Sequence, residues 1–426
     1  MKKYTFLVII YLISVVSSSI ASALNIDVQK LYRIPLVNIR WIDVAIIVIL
    51  VGFLINILFR ERTLKNTGLL VGLCLFYFIC EVVQLARSLG AMDIPTQISL
   101  FFCTLSIFIV VDLSMYSIPL DKLVPFLRRF AILGACTLIV TNGYLMYSFF
   151  TGRVVFEDLD IRVAIEVIGT KESVYSFVII PFVYAVGLYL IQGKGKLWEK
   201  VLFFVAIFSI YGGLVITFWR GTLMMILVVT LYFIFVSSSA KQIVLKTSGL
   251  MIFIFLGYFI FGESLAEKGY DPVKKIMETA EFATDVDNPD WDKGRKAAQE
   301  FAINEWKNNF WIGAGYDALG HNTALPVNSI NPHNGIITSL FHRGVLGTIL
   351  LALIYILLFR NAVRCWLLLS NFHFYESEML KLLILVSFFW LITFMTQEAL
   401  WEKYSLSIEF LYLGLITNFY KQETAT

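Results

Sequence analysis

The stretch that decides the fold is GIITSLFHRGVLGTILLALIYILLF, residues 335–359. Its only basic side chains are His342 and Arg343, it has no acidic residue, and most of its other residues are Leu, Ile, Val and Gly. An α-helix needs about 20 apolar residues to cross the hydrocarbon core of a bilayer. The stretch is long enough, and it predicts a membrane-spanning helix.

Further apolar runs of comparable length lie on both sides of this stretch. The chain is 58% hydrophobic and 15% charged, whereas soluble domains carry about 25% charged residues. We therefore predict an all-α polytopic membrane protein with about twelve transmembrane helices, which excludes an ordinary cytosolic enzyme. The other runs cover about residues 4–24, 42–59, 67–87, 98–117, 130–150, 173–192, 199–218, 221–239, 247–262, 381–398 and 405–420.

The distribution of basic residues predicts the orientation. Basic residues such as Arg60 and Arg360 concentrate in the segments that face the cytoplasm if the amino terminus does. The positive-inside rule therefore favours both termini in the cytoplasm. Lys2, Lys3, the first apolar run and the triplet Ala21-Ser22-Ala23 also have the form of a secretory signal, so cleavage of residues 1–23 is the alternative. The net charge of +3 gives no indication of a nucleic-acid partner.

One long hydrophilic segment, residues 263–334, interrupts the apolar pattern. It contains seven basic and twelve acidic residues, the charge density of a soluble domain, and on the predicted topology it faces the periplasm. We expect three parts: spans one to nine in residues 1–262, this outer loop, and spans ten to twelve in residues 335–426. Within the loop, helices are predicted to start at Asp271-Pro272 and to run from about Lys293 to Asn308. The second helix is predicted to have Ala298, Phe301 and Ala302 on one face.

Two histidines of this loop are candidates for proton transfer. Histidine titrates near neutral pH, and it commonly moves a proton to or from a reacting hydroxyl. His333 stands immediately before an apolar run, where the head group of a lipid-linked substrate would lie. His321 has no such placement. The alternative for either residue is an ordinary surface histidine.

Two arginines are candidates for binding an anion. Arg220 lies where the seventh and eighth runs meet, and Arg295 lies near the start of a predicted helix. The guanidinium group offers a rigid fork of donors that matches phosphate oxygens, and a helix start also favours an anion. The alternative for Arg220 is an interfacial arginine beside Trp219.

Several ionisable residues fall inside the apolar runs. Glu81, Gln84 and Arg87 are spaced by three and share one helical face. Charged residues in hydrocarbon by default pair with one another. We expect Arg343 to contact a lipid phosphate or to pack against Glu81 or Asp112.

One further carboxylate, Glu398, lies at the outer end of the eleventh run. It either pairs at the surface or contacts a sugar hydroxyl. No metal site is predicted, because the sequence Asp285-Val286-Asp287 has the polar flanks of a solvated turn, and His321 and His333 lack ligands at the required spacing. The glycines near residue 313 do not match a nucleotide-binding pattern. We therefore expect no metal and no cofactor.

Four short motifs, in their order around the outer loop, resemble the bacterial O-antigen ligase and O-antigen polymerase superfamily of polytopic glycosyltransferases. The resemblance covers roughly residues 160–360. The motifs are TFWRGT (217–222), GR (294–295) with the helix after it, FWIGAGY (310–316), and PHN (332–334) followed by Gly344 and Gly347.

The resemblance implies a GT-C-like fold and a metal-independent transfer of a glycan from undecaprenyl diphosphate to an acceptor hydroxyl. Arg220 and Arg295 would hold the diphosphate, and His333 would act as general base or orient the acceptor. Members often have an acidic residue soon after the His-Asn pair, and residues 335–340 contain none. Contacts with acceptor or lipid are expected from Asn334, His321, Arg343 and Glu398.

The family contains two reactions. A ligase delivers the finished glycan to lipid A-core, and a polymerase adds it to a second lipid-linked glycan. We prefer the ligase, located in the inner membrane with a periplasmic active site. The rival from another class is a transporter of polysaccharide or lipid-linked glycan, in which Glu81, Arg87, Asp112 and Arg343 line a path and the outer loop is a lid.

Overall fold

The computed structural model describes the chain in segments, and they are helical apart from turns and one short strand pair. Strands β1 (Arg33–Ile34) and β2 (Ile39–Arg40) pair antiparallel. The predicted helical class is therefore confirmed. The described residues are 2–23, 33–34, 39–58, 64–87, 94–114, 118, 120–151, 179–217, 220–235, 259, 262, 293–315, 334–370, 375–396 and 403–425.

Each apolar run that falls on described residues coincides with a helix. The predicted loop helix at Lys293–Asn308 is confirmed with the same bounds. The loop helix expected from Asp271 and most of the run at 247–262 lie outside the described residues. The helices are α1 (Lys2–Ala23), α2 (Trp41–Leu58), α3 (Leu64–Arg87), α4 (Ile94–Ser114), α5 (Leu120–Phe150), α6 (Ile180–Tyr189), α7 (Leu197–Thr217), α8 (Arg220–Phe235), α9 (Lys293–Asn308), α10 (Gly335–Ser370), α11 (Tyr375–Thr396) and α12 (Lys403–Ala425). A π-helical turn, Leu190–Lys194, follows α6.

Four helices among the described residues are long and apolar enough to cross a membrane. Their qualifying segments are Gly68–Arg87, Lys122–Phe150, Leu197–Leu214 and Gly335–Leu369. The chain is accordingly a membrane protein. The number of about twelve spans, the division after residues 262 and 334, and the orientation of the termini stay predictions.

Contacts group the chain into two compact units, neither of which is one continuous stretch. The first contains the described residues of Met1–Tyr11, Gln29–Leu127 and Asp292–Thr426, and the second contains those of Leu12–Val28 and Arg128–Trp291.

Helix α4 is the centre of the first unit and packs against α2, α3 and α12. Every residue from 102 to 114 is buried. Gly414 of α12 permits a close approach, because a Cβ atom there would lie 2.6 Å from Leu113 Cδ1. Asn418 of α12 donates to the Leu113 carbonyl (2.8 Å) and accepts from the Ile118 N–H (2.9 Å). The carboxyl end of α4 is thereby hydrogen-bonded to α12.

Asp112 places a carboxylate inside this core. It is fully buried, and it accepts hydrogen bonds from Lys3 and Tyr4 of α1 and from Asn56 Nδ2 of α2 (2.8 Å). A carboxylate in a helix bundle is tolerated when a cation and hydrogen-bond donors compensate it. Asp112 therefore joins α1, α2 and α4, as expected of a structurally paired charge.

The second unit is held by polar contacts between α6, α7 and α8. The buried Tyr184 hydroxyl lies 2.8 Å from the Tyr211 hydroxyl and 2.7 Å from Thr230 Oγ1. At the start of α7, Glu199 accepts two hydrogen bonds from Arg128, one of them from Nε at 2.8 Å. Every buried hydroxyl in this group has a partner, which helices in an apolar environment require.

Candidate active site

Helix α10 is broken at Gly344, where φ is 65° and ψ is −170°. The break divides α10 into a short segment, residues 335–343, and a long segment, residues 345–370. Positive φ favours glycine, which has no Cβ atom. A Cβ atom at Gly344 would lie 2.5 Å from the backbone nitrogens of Ile312 and Gly313, so another segment fills the space beside the break. The predicted single span over 335–359 is therefore an interrupted helix.

The segment that fills the break is residues 310–315, called here the 310–315 loop. The Val345 N–H donates to the Phe310 carbonyl (3.0 Å), and the Leu346 N–H donates to the Trp311 carbonyl (3.2 Å). In return, the Ala314 N–H donates to the Phe341 carbonyl (2.7 Å). Backbone groups released at a helix break must find partners inside a membrane protein. The loop supplies these partners, and this replacement stabilises the break.

Helix α3 holds the same loop from a second direction. The Gln84 amide donates to the Ile312 carbonyl, and Arg87 Nη1 donates to the Gly313 carbonyl (3.3 Å) and to Gln84 Oε1 (2.9 Å). Glu81, one turn earlier, faces α10 instead. Glu81, Gln84 and Arg87 are called here the α3 polar face.

Arg343, the last residue before the break, forms an ion pair with Glu81. Arg343 Nε lies 2.6 Å from Glu81 Oε1, and the side chains are 4% and 2% exposed. Gly347 leaves room for the arginine, because a Cβ atom there would lie 2.7 Å from Arg343 Cβ. Of the partners expected for Arg343, the structure assigns Glu81, whereas Asp112 binds other donors. A contact of Arg343 with acceptor or lipid stays a prediction.

The neighbouring His342 has a structural contact. It is buried, and its Nδ1 donates to the Gly315 carbonyl oxygen at 2.7 Å. Its ring also packs edge-on against Phe341, with centroids 4.6 Å apart. His342 therefore fixes the far end of the 310–315 loop to the short segment of α10.

Asn334 caps the start of α10. Its Oδ1 accepts from the N–H groups of Ile336 (3.0 Å) and Ile337 (3.1 Å). An asparagine at this position satisfies helix donors that have no partner within the helix. The residue next to the predicted base His333 is thus tied to the short segment of α10.

The helix that carries Arg295 packs against this short segment. Ala298 and Ala302 of α9 are fully buried, and the ring of Phe301 lies 6.2 Å from that of Phe341, centroid to centroid. The predicted apolar face of α9 is the face that packs. The first unit therefore combines the Arg295 helix, the helix after His333 and the 310–315 loop.

The remaining predicted residues have no described side chain. Arg220 is the first residue of α8 in the second unit, and Arg295 is in the first turn of α9. His321, His333 and Glu398 lie outside the described residues. Their roles stay predictions.

Metal-ligating residues do not cluster in the part of the chain that the structure describes. No group of three or more His, Cys, Asp or Glu side chains is found there. The expected metal independence stays a prediction.

The comparison with protein families gives one match. Residues 202–352 match the family model described as O-antigen ligase. The matched region contains Arg220, Arg295, the 310–315 loop and Gly344. No curated protein matches the chain. The match confirms the resemblance of this region to the O-antigen ligase superfamily that the motifs indicated.

Proposed function

We propose that the protein is a membrane glycosyltransferase that moves a glycan from undecaprenyl diphosphate to an acceptor sugar hydroxyl. The observation that carries the proposal is the family match over residues 202–352. The matched residues include the 310–315 loop and the break of α10 at Gly344. The preferred reaction is that of an O-antigen ligase with lipid A-core as acceptor. The alternative is a polymerase that uses a second lipid-linked glycan.

In this reaction the acceptor oxygen forms a bond to the anomeric carbon, and the bond from that carbon to the diphosphate breaks. His333 accepts the proton of the acceptor hydroxyl or orients that hydroxyl. Arg220 and Arg295 stabilise the charge on the departing undecaprenyl diphosphate. Asn334, His321, Arg343 and Glu398 contribute contacts to acceptor or lipid. The reaction takes place at the periplasmic face of the inner membrane, without metal or cofactor.

The ion pairs of the described helices support a glycosyltransferase over a transporter. Glu81 pairs with Arg343, and Asp112 pairs with Lys3. Charges that are neutralised within the bundle serve the packing of helices, which weakens the argument for a transport path lined by them.

The function is tested in a deletion strain that is complemented with single variants. Arg220→Ala, Arg295→Ala and His333→Ala are each expected to abolish glycan transfer while membrane levels stay normal. Lys307→Ala is the matched control, because Lys307 is an exposed cation on the helix that carries Arg295. Full transfer by all three variants would contradict the proposal.

The glycolipid profile of the same strain separates the two reactions. Unmodified lipid A-core together with accumulated lipid-linked polymer indicates a ligase. Lipid A-core capped by a single repeat indicates a polymerase. Normal glycolipids in the deletion strain, with altered transport in reconstituted vesicles, would favour the transporter.

A further inference from the structure

We propose that the α3 polar face is a positioning element for glycan transfer: Glu81, Gln84 and Arg87 hold the 310–315 loop and Arg343 at the break of α10. In this way they fix the short helix that follows His333. The inference rests on the proposed function and extends it, because α3 lies outside the region that matches the family model.

The short segment of α10 depends on its neighbours for its position. Residues 335–343 make little more than two helical turns, and a helix of this length is not stable alone. Phe341 anchors it to α9, and Arg343 anchors it to α3. A further constraint is the break itself, which the 310–315 loop occupies.

The carbonyl groups of the 310–315 loop are divided between two helices. Those of Phe310 and Trp311 accept from the long segment of α10, and those of Ile312 and Gly313 accept from α3. The loop is therefore a hydrogen-bonded bridge between α3 and α10. The bridge consists of four consecutive peptide groups. A displacement of the α3 side chains would therefore move the loop residues that bind Val345 and Leu346 at the break.

Gln84 is the central member of the α3 polar face. It is 4% exposed, its amide nitrogen binds the loop, and its amide oxygen binds Arg87. A buried amide with both ends hydrogen-bonded has a single orientation. Gln84 thus sets the direction of Arg87 as well as the position of Ile312.

The other side of the loop is apolar and exposed. Phe310, Trp311 and Ile312 are 43%, 68% and 48% exposed, and Trp306 stacks on Phe310 with centroids 5.3 Å apart. Because these three side chains are exposed, hydrogen bonds to the loop backbone, rather than their apolar packing, hold the loop against the break.

The consequence for catalysis is geometric. Misplacement of a reacting group by about 1 Å can lower a rate about 100-fold. A weaker bridge would let the helix after His333 shift, while the arginines that hold the diphosphate stay on other elements. The positioning role therefore predicts a lower kcat with a donor KM close to that of the wild type.

The first test uses Gln84→Met in the full-length protein in lipid nanodiscs. Methionine keeps the length of the side chain and removes the donor. We expect kcat for glycan transfer to fall about tenfold and the donor KM to change less than about twofold. Val83→Met is the matched control, since Val83 is an exposed neighbour on the same helix. An unchanged kcat, or an increase in KM alone, would overturn the positioning role.

The second test does not depend on activity. Hydrogen exchange is measured on the peptide that contains Val345 and Leu346, whose N–H groups bind the loop. Gln84→Met is expected to accelerate the exchange of this peptide about tenfold, and Arg87→Gln, a change at an exposed residue, about threefold. Exchange in α4 should stay unchanged in both variants. If wild-type protein transfers no glycan, the proposed function fails, and the exchange result still decides whether α3 holds the break. Unchanged exchange in both variants would refute the inference.

Discussion

Helices α5 and α10 are the two longest in the described part of the chain, and they respond differently to a residue that disfavours helix. Helix α5 has 31 residues, contains Pro125 and continues as one helix. Helix α10 has 36 residues, contains Gly344 and breaks there. Helix propensity alone would predict a break in α5 and a continuous α10, because proline disfavours a helix interior more strongly than glycine.

The difference lies in the partners of the backbone. Pro125 is the sixth residue of α5, so its missing N–H removes one hydrogen bond close to the start of the helix. At Gly344 the 310–315 loop supplies carbonyl acceptors to Val345 and Leu346 and a donor to Phe341. A helix in this protein is broken where a second segment replaces the lost hydrogen bonds.

The largest effect is expected for Gly344→Val. The new side chain would combine positive φ with collisions against the backbone of Ile312 and Gly313, which we expect to destabilise the fold by about 4 kcal/mol. The free energy of unfolding is measured by titration with denaturing detergent, and transfer activity is expected to be lost. Gly143→Ala in α5 is the control, because the space around Gly143 is open. Equal stability of the two variants would show that the break is not required.

The next effect is expected for Arg343→Ala, which leaves the buried carboxylate of Glu81 without this cation. Breaking this buried ion pair on one side should cost about 3 kcal/mol. Adding Glu81→Gln should recover a large part of that loss, measured by the same detergent titration. If the double variant is no more stable than Arg343→Ala, the Glu81–Arg343 pair is not the source of the stability.

A smaller effect is expected for Thr348→Val. Thr348 Oγ1 lies 3.0 Å from Ser339 Oγ, so this hydrogen bond joins the two segments of α10 across the break. Its loss should cost about 1 kcal/mol and lower the midpoint of thermal unfolding by a few degrees. Thr151→Val, at the exposed end of α5, should change the midpoint less.

The smallest effect is expected for Pro125→Ala. Pro125 is exposed, and alanine would restore one helical hydrogen bond but increase the entropy of the unfolded chain. These opposing effects should leave the unfolding free energy within about 1 kcal/mol of the wild type. A loss comparable to that of Gly344→Val would mean that Pro125 shapes α5 as Gly344 shapes α10.

Local patterns in the sequence predicted much of the fold. The apolar runs identified helices, and the stripe of Ala298, Phe301 and Ala302 identified the packed face of α9. Both signals come from neighbours along one helix, where side chains repeat every 3.6 residues. Such information is present in a single sequence.

The break and its partners could not be predicted in the same way. Gly344 stands in a long apolar run, and glycine is common in membrane helices that continue. Its positive φ depends on the 310–315 loop, which is about 30 residues away in sequence. The sequence leaves the partner of Arg343 open between a lipid phosphate, Glu81 and Asp112, because both acids lie in apolar runs. The choice between the two acids depends on how α3 and α4 pack. The signal that the sequence offered was the two glycines of FWIGAGY, both of which adopt positive φ.

The pair between Glu81 and Arg343 has a consequence for biogenesis, because the two residues are 262 positions apart. At a synthesis rate of about 5–20 residues per second, Glu81 enters the membrane about 10–50 s before Arg343 has been translated. During this interval the carboxyl group must be hydrated or held by other groups of the growing chain. The candidate active site is therefore completed late in synthesis, and a chain released before Arg343 lacks the pair that joins α3 to α10.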